Sequence, residues 1–405
     1  MAGLSLPGAL LQFDFPQLPA ARTRPAMTLL HISTCFDSGA IEVLSLADHR
    51  NIRLNIRSDN ASGFTQWFHF SLQGAAGLPV VLHFMNAGQC AYVQGWQDYA
   101  VLASHDRQHW FRVDTKFDGE VMTAQTTPAT QCIYFAYFAP YSWEQHLDML
   151  AVATASPHVQ QEYLGASVLG RDISLLRITD AESAVPLADR KRVWVIARQH
   201  PGESMASWFV EGLLERLLDG ADSVARALRQ RCAFYVVPHM NPDGAVLGNL
   251  RTNAVGANLN REWAAPSMER SPEVFLVRQR MLEVGVDLNL DVHGDEVLPY
   301  NFVVGSEGVP NYSPRVAELE ELFKSTWVAT CADFQSDYGY DPIAPGAANL
   351  SLATNWIAQH FGCLAFTVEM PFKDNAHLPD PEHGWSSERS RQLGASVLPA
   401  VLATL

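Results

Sequence analysis

Arg192-Val193-Trp194-Val195-Ile196-Ala197-Arg198-Gln199-His200-Pro201-Gly202-Glu203 joins an apolar, β-branched run to a His-x-x-Glu pair, and the reading of the chain turns on it. The run over 193–197 predicts a strand, and Phe209, Leu213, Leu214 and Leu217 at helical spacing predict a helix over 207–218. Pro201 and Gly202 mark the break between them. An imidazole and a carboxylate three residues apart, fixed at a strand end, reach one metal ion from two sides. Taken alone, the pair is weak evidence and reads more readily as a solvated loop with a capping Glu.

A second stretch supports the first. Leu288-Asn289-Leu290-Asp291-Val292-His293-Gly294-Asp295 is again an apolar strand that ends in a histidine. His200, Glu203 and His293 then form a His₂Glu set with a fourth position left for water, the pattern of a catalytic rather than a structural zinc. Zinc lowers the pKa of bound water from about 15.7 toward about 7 and polarises a carbonyl, which suits amide or ester hydrolysis. That chemistry needs a group to carry the water's proton to the leaving amine. The run Phe366-Thr367-Val368-Glu369 ends a third strand in a carboxylate, so Glu369 is the candidate general base and acid.

Between these motifs lie two Gly- and Asn-rich stretches, 241–251 and 256–263, read as loops outside the core. They carry Arg251, Asn260 and Arg261. A guanidinium grips a carboxylate through two parallel hydrogen bonds, and an amide adds a donor. Asn260 and Arg261 therefore suit a terminal carboxylate, and Arg251 suits an oxyanion.

A chain of 405 residues with 48% hydrophobic content predicts two domains. A net charge of −15 argues against nucleic acid or an anionic membrane as partner. Six scattered cysteines without Cys-x-x-Cys fit free thiols in a reducing compartment, and no apolar run approaches a membrane span. Residues 1–26 lack the basic start of a secretory signal and read as a loose extension, with Met27 a possible second start.

From 27 to about 150 the text is strand-like, with strict alternation at Ile52-Arg53-Leu54-Asn55-Ile56-Arg57 and further short runs between turn signals. This predicts a β-sandwich in which His31, His49, His69, His83, His105 and His109 are structural. A helix near 143–155 leads into 151–405, where strands and helices alternate, among them a strand over 288–292 and helices over 272–284 and 314–330. That order predicts an α/β sheet with helices on both faces and a site at the carboxyl ends of its strands. His239 is a packed or solvated side chain in this reading.

In order along the chain, His-Pro-Gly-Glu at 200–203, Asn-Pro-Asp-Gly at 241–244, Gly-Asn-Leu-Arg at 248–251, Asn-Leu-Asn-Arg at 258–261, Asp-Val-His-Gly at 291–294 and the strand ending in Glu369 resemble the zinc carboxypeptidases, within them the cytosolic branch. Phe36-Asp37-Ser38-Gly39 and Gln66-Trp67-Phe68-His69-Phe70 are similar to that branch's N-terminal domain. The resemblance implies an antiparallel β-sandwich followed by an α/β/α catalytic domain with a mixed sheet. It also implies one Zn²⁺ on His200, Glu203 and His293, carbonyl polarisation by Arg251, carboxylate binding by Asn260 and Arg261, and catalysis by Glu369. The expected activity is removal of C-terminal residues from peptides or proteins in the cytoplasm.

One family feature is missing, because the position of the tyrosine that closes over substrate in pancreatic-type enzymes falls at Gly346-Ala347-Ala348. Tyr338 and Tyr340, in the preceding loop, are the candidates to substitute, although tyrosines in such a loop more often simply pack. Residues 351–356, expected to line the terminal side-chain pocket, contain no Asp or Glu, which weakens a preference for terminal Lys or Arg. Two other readings are a zinc amidohydrolase of small acyl-amino acids and a non-catalytic binding protein.

Overall fold

The computed structural model describes residues 29–405; the extension expected over 1–26, and Met27, lie outside the described residues. Ten short strands come first: β1 (His31–Ser33), β2 (Glu42–Ser45), β3 (Ile52–Asn55), β4 (His69–Gln73), β5 (Val80–Phe84), β6 (Leu102–Ser104), β7 (Phe111–Arg112), β8 (Asp114–Phe117), β9 (Met122–Thr126) and β10 (Cys132–Ala136). They form two five-stranded sheets, β1-β4-β10-β6-β7 and β2-β3-β5-β9-β8. Neighbours pair antiparallel except β3 with β5, which are parallel. The period-2 alternation sends Ile52 and Leu54 of β3 and Val80, Leu82 and Phe84 of β5 inward. There Phe84 meets Phe68 at a ring separation of 4.8 Å.

Helix α1 (Trp143–Thr154) follows, started by a capping box in which Ser142 and Gln145 satisfy each other's backbone N–H. Then come β11 (Val159–Ala166), β12 (Asp172–Ile178), β13 (Lys191–Ala197), α2 (Met205–Leu218), α3 (Ser223–Arg231), β14 (Cys232–Val237), α4 (Pro242–Leu247), α5 (Pro272–Val284), β15 (Leu288–Val292), β16 (Phe302–Val304), α6 (Pro314–Thr330), α7 (Ala353–Phe361), β17 (Leu364–Glu369), α8 (Ser387–Ser396) and α9 (Leu398–Thr404). Their strands build one mixed sheet in the order β11-β12-β14-β13-β15-β17-β16. The central β14, β13, β15 and β17 run parallel, while the flanking pairs are antiparallel.

Both faces of this sheet are covered, which explains why its strands read as nearly continuous apolar runs. Val193, Val195 and Ala197 share a core with Phe209 and Leu213 of α2 and Phe323 and Trp327 of α6. Trp194 and Ile196 point the other way, into a core with Val277 and Met281 of α5 and Ile357 of α7. Ala197 stands opposite Val292, and Val292 opposite Val368. The register therefore brings the carboxyl ends of β13, β15 and β17 level.

Sequence reading found α5, α6 and β15 with their observed limits and did not find β11, α8 or α9. The largest correction concerns 241–251. Expected as loops outside the core, these residues contain helix α4, capped by the Asn241 side chain with Pro242 at its first position, and Asn241, Asp243, Asn249 and Leu250 are buried. Asp243 is held there by the N–H of Leu169 and the guanidinium of Arg171, so a polar stretch is buried with its hydrogen bonds made.

Candidate metal centre and active site

The turn after β13 is shaped by Arg198, whose backbone adopts a φ of 62° and whose side chain is fully buried. Its guanidinium donates to the carbonyls of Pro201 and Tyr141, tying the turn to the segment just before α1. Gly202 donates to the Leu250 carbonyl at 2.8 Å, and a Cβ at Gly202 would stand 2.9 Å from that oxygen. The turn thus presses directly on the irregular segment that carries Arg251. Glu203 does not cap α2; its carboxylate turns to the two histidines.

His200 Nδ1 lies 2.6 Å from Glu203 Oε1, His293 Nδ1 lies 2.8 Å from Glu203 Oε2, and the two Nδ1 atoms are 3.1 Å apart. All three side chains are buried, and their ligand atoms lie within 4.8 Å of one another. On the far side of each ring an oxygen accepts from Nε2–H: Asn258 Oδ1 at 3.1 Å for His200 and Asp291 Oδ1 at 3.0 Å for His293. A ring that donates through Nε2 offers its Nδ1 lone pair to a metal, and such partners fix the tautomer. Asp291 is itself gripped at both oxygens by the Gln199 amide, which accepts from the Trp263 indole.

The field agrees with the geometry. Burial holds the His200 imidazole down to about 3, with Arg251 adding to the effect, so it stands neutral. Burial also opposes charge on His293, but Asp291 and Glu203 outweigh it and hold that ring well above the usual histidine range. Burial would raise the Glu203 carboxyl, yet the two imidazoles bring it well below the ordinary carboxylate range. The space between these ligands thus favours a positive charge, and two nitrogens and a carboxylate are a donor set for a divalent metal such as zinc.

Around this point a cavity of about 270 Å³ collects the other predicted residues. Arg251 Nη1 is 4.0 Å from Glu203 Oε1. Asn260, on a single 3₁₀ turn (Leu259–Arg261), has its Oδ1 fixed by the Ala353 N–H at 2.9 Å and its Nδ2 3.3 Å from His293 Nε2. Arg261 lines the mouth and donates to the Asn260 carbonyl. Glu369 is buried at the end of β17, with Oε2 lacking any hydrogen-bond partner. Burial pushes its carboxyl well above the usual range; His293 opposes this, while Glu203, Asp295 and Glu296 add to it.

The two candidate tyrosines separate. Tyr340 Oη reaches Asp295 Oδ2 at 2.6 Å and Glu369 Oε1 at 3.3 Å. Tyr338 stacks on Tyr300, with ring centres 4.4 Å apart, and does not line the cavity. Leu352, Thr354 and Asn355 from the stretch 351–356 do line it, beside Val304, Ile343 and Thr367. His239 is buried against His146 and Trp143, away from the cavity, and His69 bonds to Ser38 within the sandwich.

Sequence reading missed Tyr92 and Glu296. Glu296 is buried beside the centre with Oε1 unpartnered, and burial together with Glu203 pushes it up to about 8. Its signal was its place three residues after His293. Tyr92 arrives from the sandwich, and nothing in the local text marks it as a site residue.

Comparison with known proteins bears on this arrangement. Residues 32–138 match the family model "Cytosolic carboxypeptidase N-terminal domain", and residues 145–388 match "Zinc carboxypeptidase". The chain belongs to the zinc carboxypeptidase family. Its place there makes it a metallocarboxypeptidase, a peptidase of the hydrolase class. It is similar to the metallo-carboxypeptidase of Burkholderia cenocepacia, with 50% identity and a TM-score of 0.89 over 92% of this chain and 98% of that one. A metallo-carboxypeptidase from Pseudomonas aeruginosa, solved in complex with (2-guanidinoethylmercapto)succinic acid, is 47% identical with the same TM-score over 92% and 98% of the two chains. Cytosolic carboxypeptidase 6 of Mus musculus is 26% identical over 70% of this chain, which spans 56% of that relative's length. The fold is that of the metallocarboxypeptidase structures, with sandwich sheets ahead of a mixed sheet. Among the described residues no helix is long and apolar enough to cross a membrane.

Proposed function

We propose that this chain hydrolyses the C-terminal peptide bond of peptides or proteins, using one zinc ion held by His200, Glu203 and His293. The observation that carries the reading is the convergence of those three ligands, Arg251, Asn260, Arg261 and Glu369 on one cavity at level strand ends. When bound there, zinc supplies a Lewis acid and makes a water molecule acidic enough to attack near neutral pH.

The chain's own residues supply the rest. Asn260 and Arg261 hold the substrate's terminal carboxylate, which restricts attack to the last peptide bond. Arg251 stabilises the oxygen of the attacked carbonyl as charge develops on it. Glu369, with an oxygen free of partners, takes the water's proton and passes it to the departing amine. Tyr340, bonded to Glu369, stands where it can meet the same substrate. In this reading residues 27–150 form the sandwich domain, residues 151–405 the catalytic domain, and the protein acts in the cytoplasm.

The test is mass spectrometry of a peptide panel with free or amidated C-termini and varied last residue, incubated with zinc-loaded protein. Loss of single residues from free-ended peptides alone is expected. Trimming of amidated peptides, or of none, would overturn the reading.

A further inference from the structure

The segment 247–256, which presents Arg251, is held by the sandwich on one side as well as by the turn after β13 on the other. Asp59 accepts from the N–H groups of Leu250 (2.6 Å), Arg251 (3.1 Å) and Thr252 (2.9 Å) and from the Thr252 hydroxyl (2.8 Å). Asn60 and Asn249 exchange two further bonds, and the Arg57 guanidinium donates to the Leu247 carbonyl. Gly248 and Gly256, at φ of 71° and 80°, let the backbone settle where a Cβ would stand 2.7 Å from the Ser38 carbonyl oxygen and 2.3 Å from that of Ala61. The Arg251 guanidinium lies over the rings of Phe64 and Tyr92, at 5.7 and 5.5 Å. Both rings belong to the sandwich.

Asp59 is buried, and burial holds its carboxyl above the ordinary range despite the donated bonds. No cation pairs with it among the described residues, so these four donors, with the Ser62 hydroxyl of its own loop at 3.4 Å, are what satisfies it. A buried carboxylate stripped of such donors is costly, and a guanidinium aimed at a developing charge depends on its backbone being fixed.

We propose that Asp59 is a positioning residue for the reaction: by accepting the hydrogen bonds of 250–252 it fixes the backbone from which Arg251 reaches the site, and the sandwich thereby supplies part of the catalytic apparatus. The proposal rests on the assignment of Arg251 to the attacked carbonyl. Phe64 and Tyr92 complete the device by confining the guanidinium from the sandwich side.

The test is a double-mutant cycle on the zinc-loaded full chain, with kcat expressed per bound zinc. Removing one oxyanion donor costs about 10²- to 10³-fold in kcat, which is the expectation for Arg251→Ala. Asp59→Ala is expected to lose roughly 10- to 100-fold in kcat, with KM changed by no more than about twofold. Asp59→Asn, which keeps an acceptor oxygen, should recover part of that loss. The double variant should be no slower than Arg251→Ala alone, because both changes act through one guanidinium. Additive losses, or wild-type kcat for Asp59→Ala beside an impaired Arg251→Ala, would overturn the proposal and leave the role of Arg251 standing. Wild-type kcat for Arg251→Ala would instead remove the reading on which the proposal rests. If Asp59→Ala does not fold, the cycle is run with Asp59→Asn and with Phe64→Leu, and additive losses overturn the proposal in the same way.

Discussion

The Nδ1 atoms of His200 and His293 face each other at 3.1 Å from the ends of neighbouring parallel strands, each ring backed on its far side by an oxygen that accepts from Nε2. A pair so arranged is poised for a shared ion. One zinc per chain is therefore expected in metal analysis of the purified protein, and none after His293→Ala. Because the ligands must be deprotonated, the affinity should fall as pH falls. Metal at 100 times its Kd should stabilise the fold by about 2.7 kcal/mol, read as a rise in Tm on adding zinc to chelated protein. Unchanged Tm would count against this site.

Asp291 never touches the ion in this scheme, yet it orients His293. Asp291→Asn should weaken zinc binding by about 10- to 100-fold without changing the ligand set. Competition with a chelating dye measures this directly, and wild-type affinity would show that the carboxylate is dispensable.

Glu369→Gln keeps the shape of the side chain and removes its proton transfer. The expected loss in kcat is about 10²- to 10⁴-fold, with zinc content unchanged. Turnover at the wild-type rate would take Glu369 out of the reaction.

The cavity wall formed by Val304, Ile343, Leu352, Thr354 and Thr367 carries no charge, and the Thr354 and Thr367 hydroxyls are 2.8 Å apart. Thr354→Asp places a carboxylate there that only a cationic side chain can compensate. The ratio of kcat/KM for peptides ending in Lys or Arg over those ending in Leu should rise by about tenfold or more. A constant ratio would place the terminal side chain elsewhere.

Glu273, buried at the start of α5 with Oε1 unpartnered, has its carboxyl pushed up to about 7 by burial. The folded chain then binds this proton more tightly than the unfolded chain, whose group titrates near 4.5. Stability from this group is greatest below 4.5 and declines as pH rises to about 7, by on the order of 3 kcal/mol. Glu273→Gln should match wild type near pH 4.5 and exceed it at pH 8 in chemical denaturation. An equal difference at both pH values would sink the idea.

Much of the site was legible because it is written at strand ends. His200, His293 and Glu369 each follow an apolar run, and a parallel register brings those ends together whatever the intervening text. The burial of 241–251 was not legible. Gly and Asn read as solvent-facing, and only the acceptor Asp59, the side chain of Arg171 and the close surface of the sandwich make them interior. Tyr92 was invisible for a related reason, since its role depends on how two sheets meet. Strand β11 was missed because half-exposed edge residues such as Gln160, Gln161 and Glu162 dilute the β pattern.

The seat of Gly248 and Gly256 on Ser38 and Ala61 has a bearing on biosynthesis. Residues 38–64 leave the ribosome long before the segment they receive, and N-terminal units generally fold first. The nascent chain thus carries a mould for a stretch that has no helix or strand to shape it. A gene rearranged to encode the sandwich last would ask that stretch to find its shape before the mould exists.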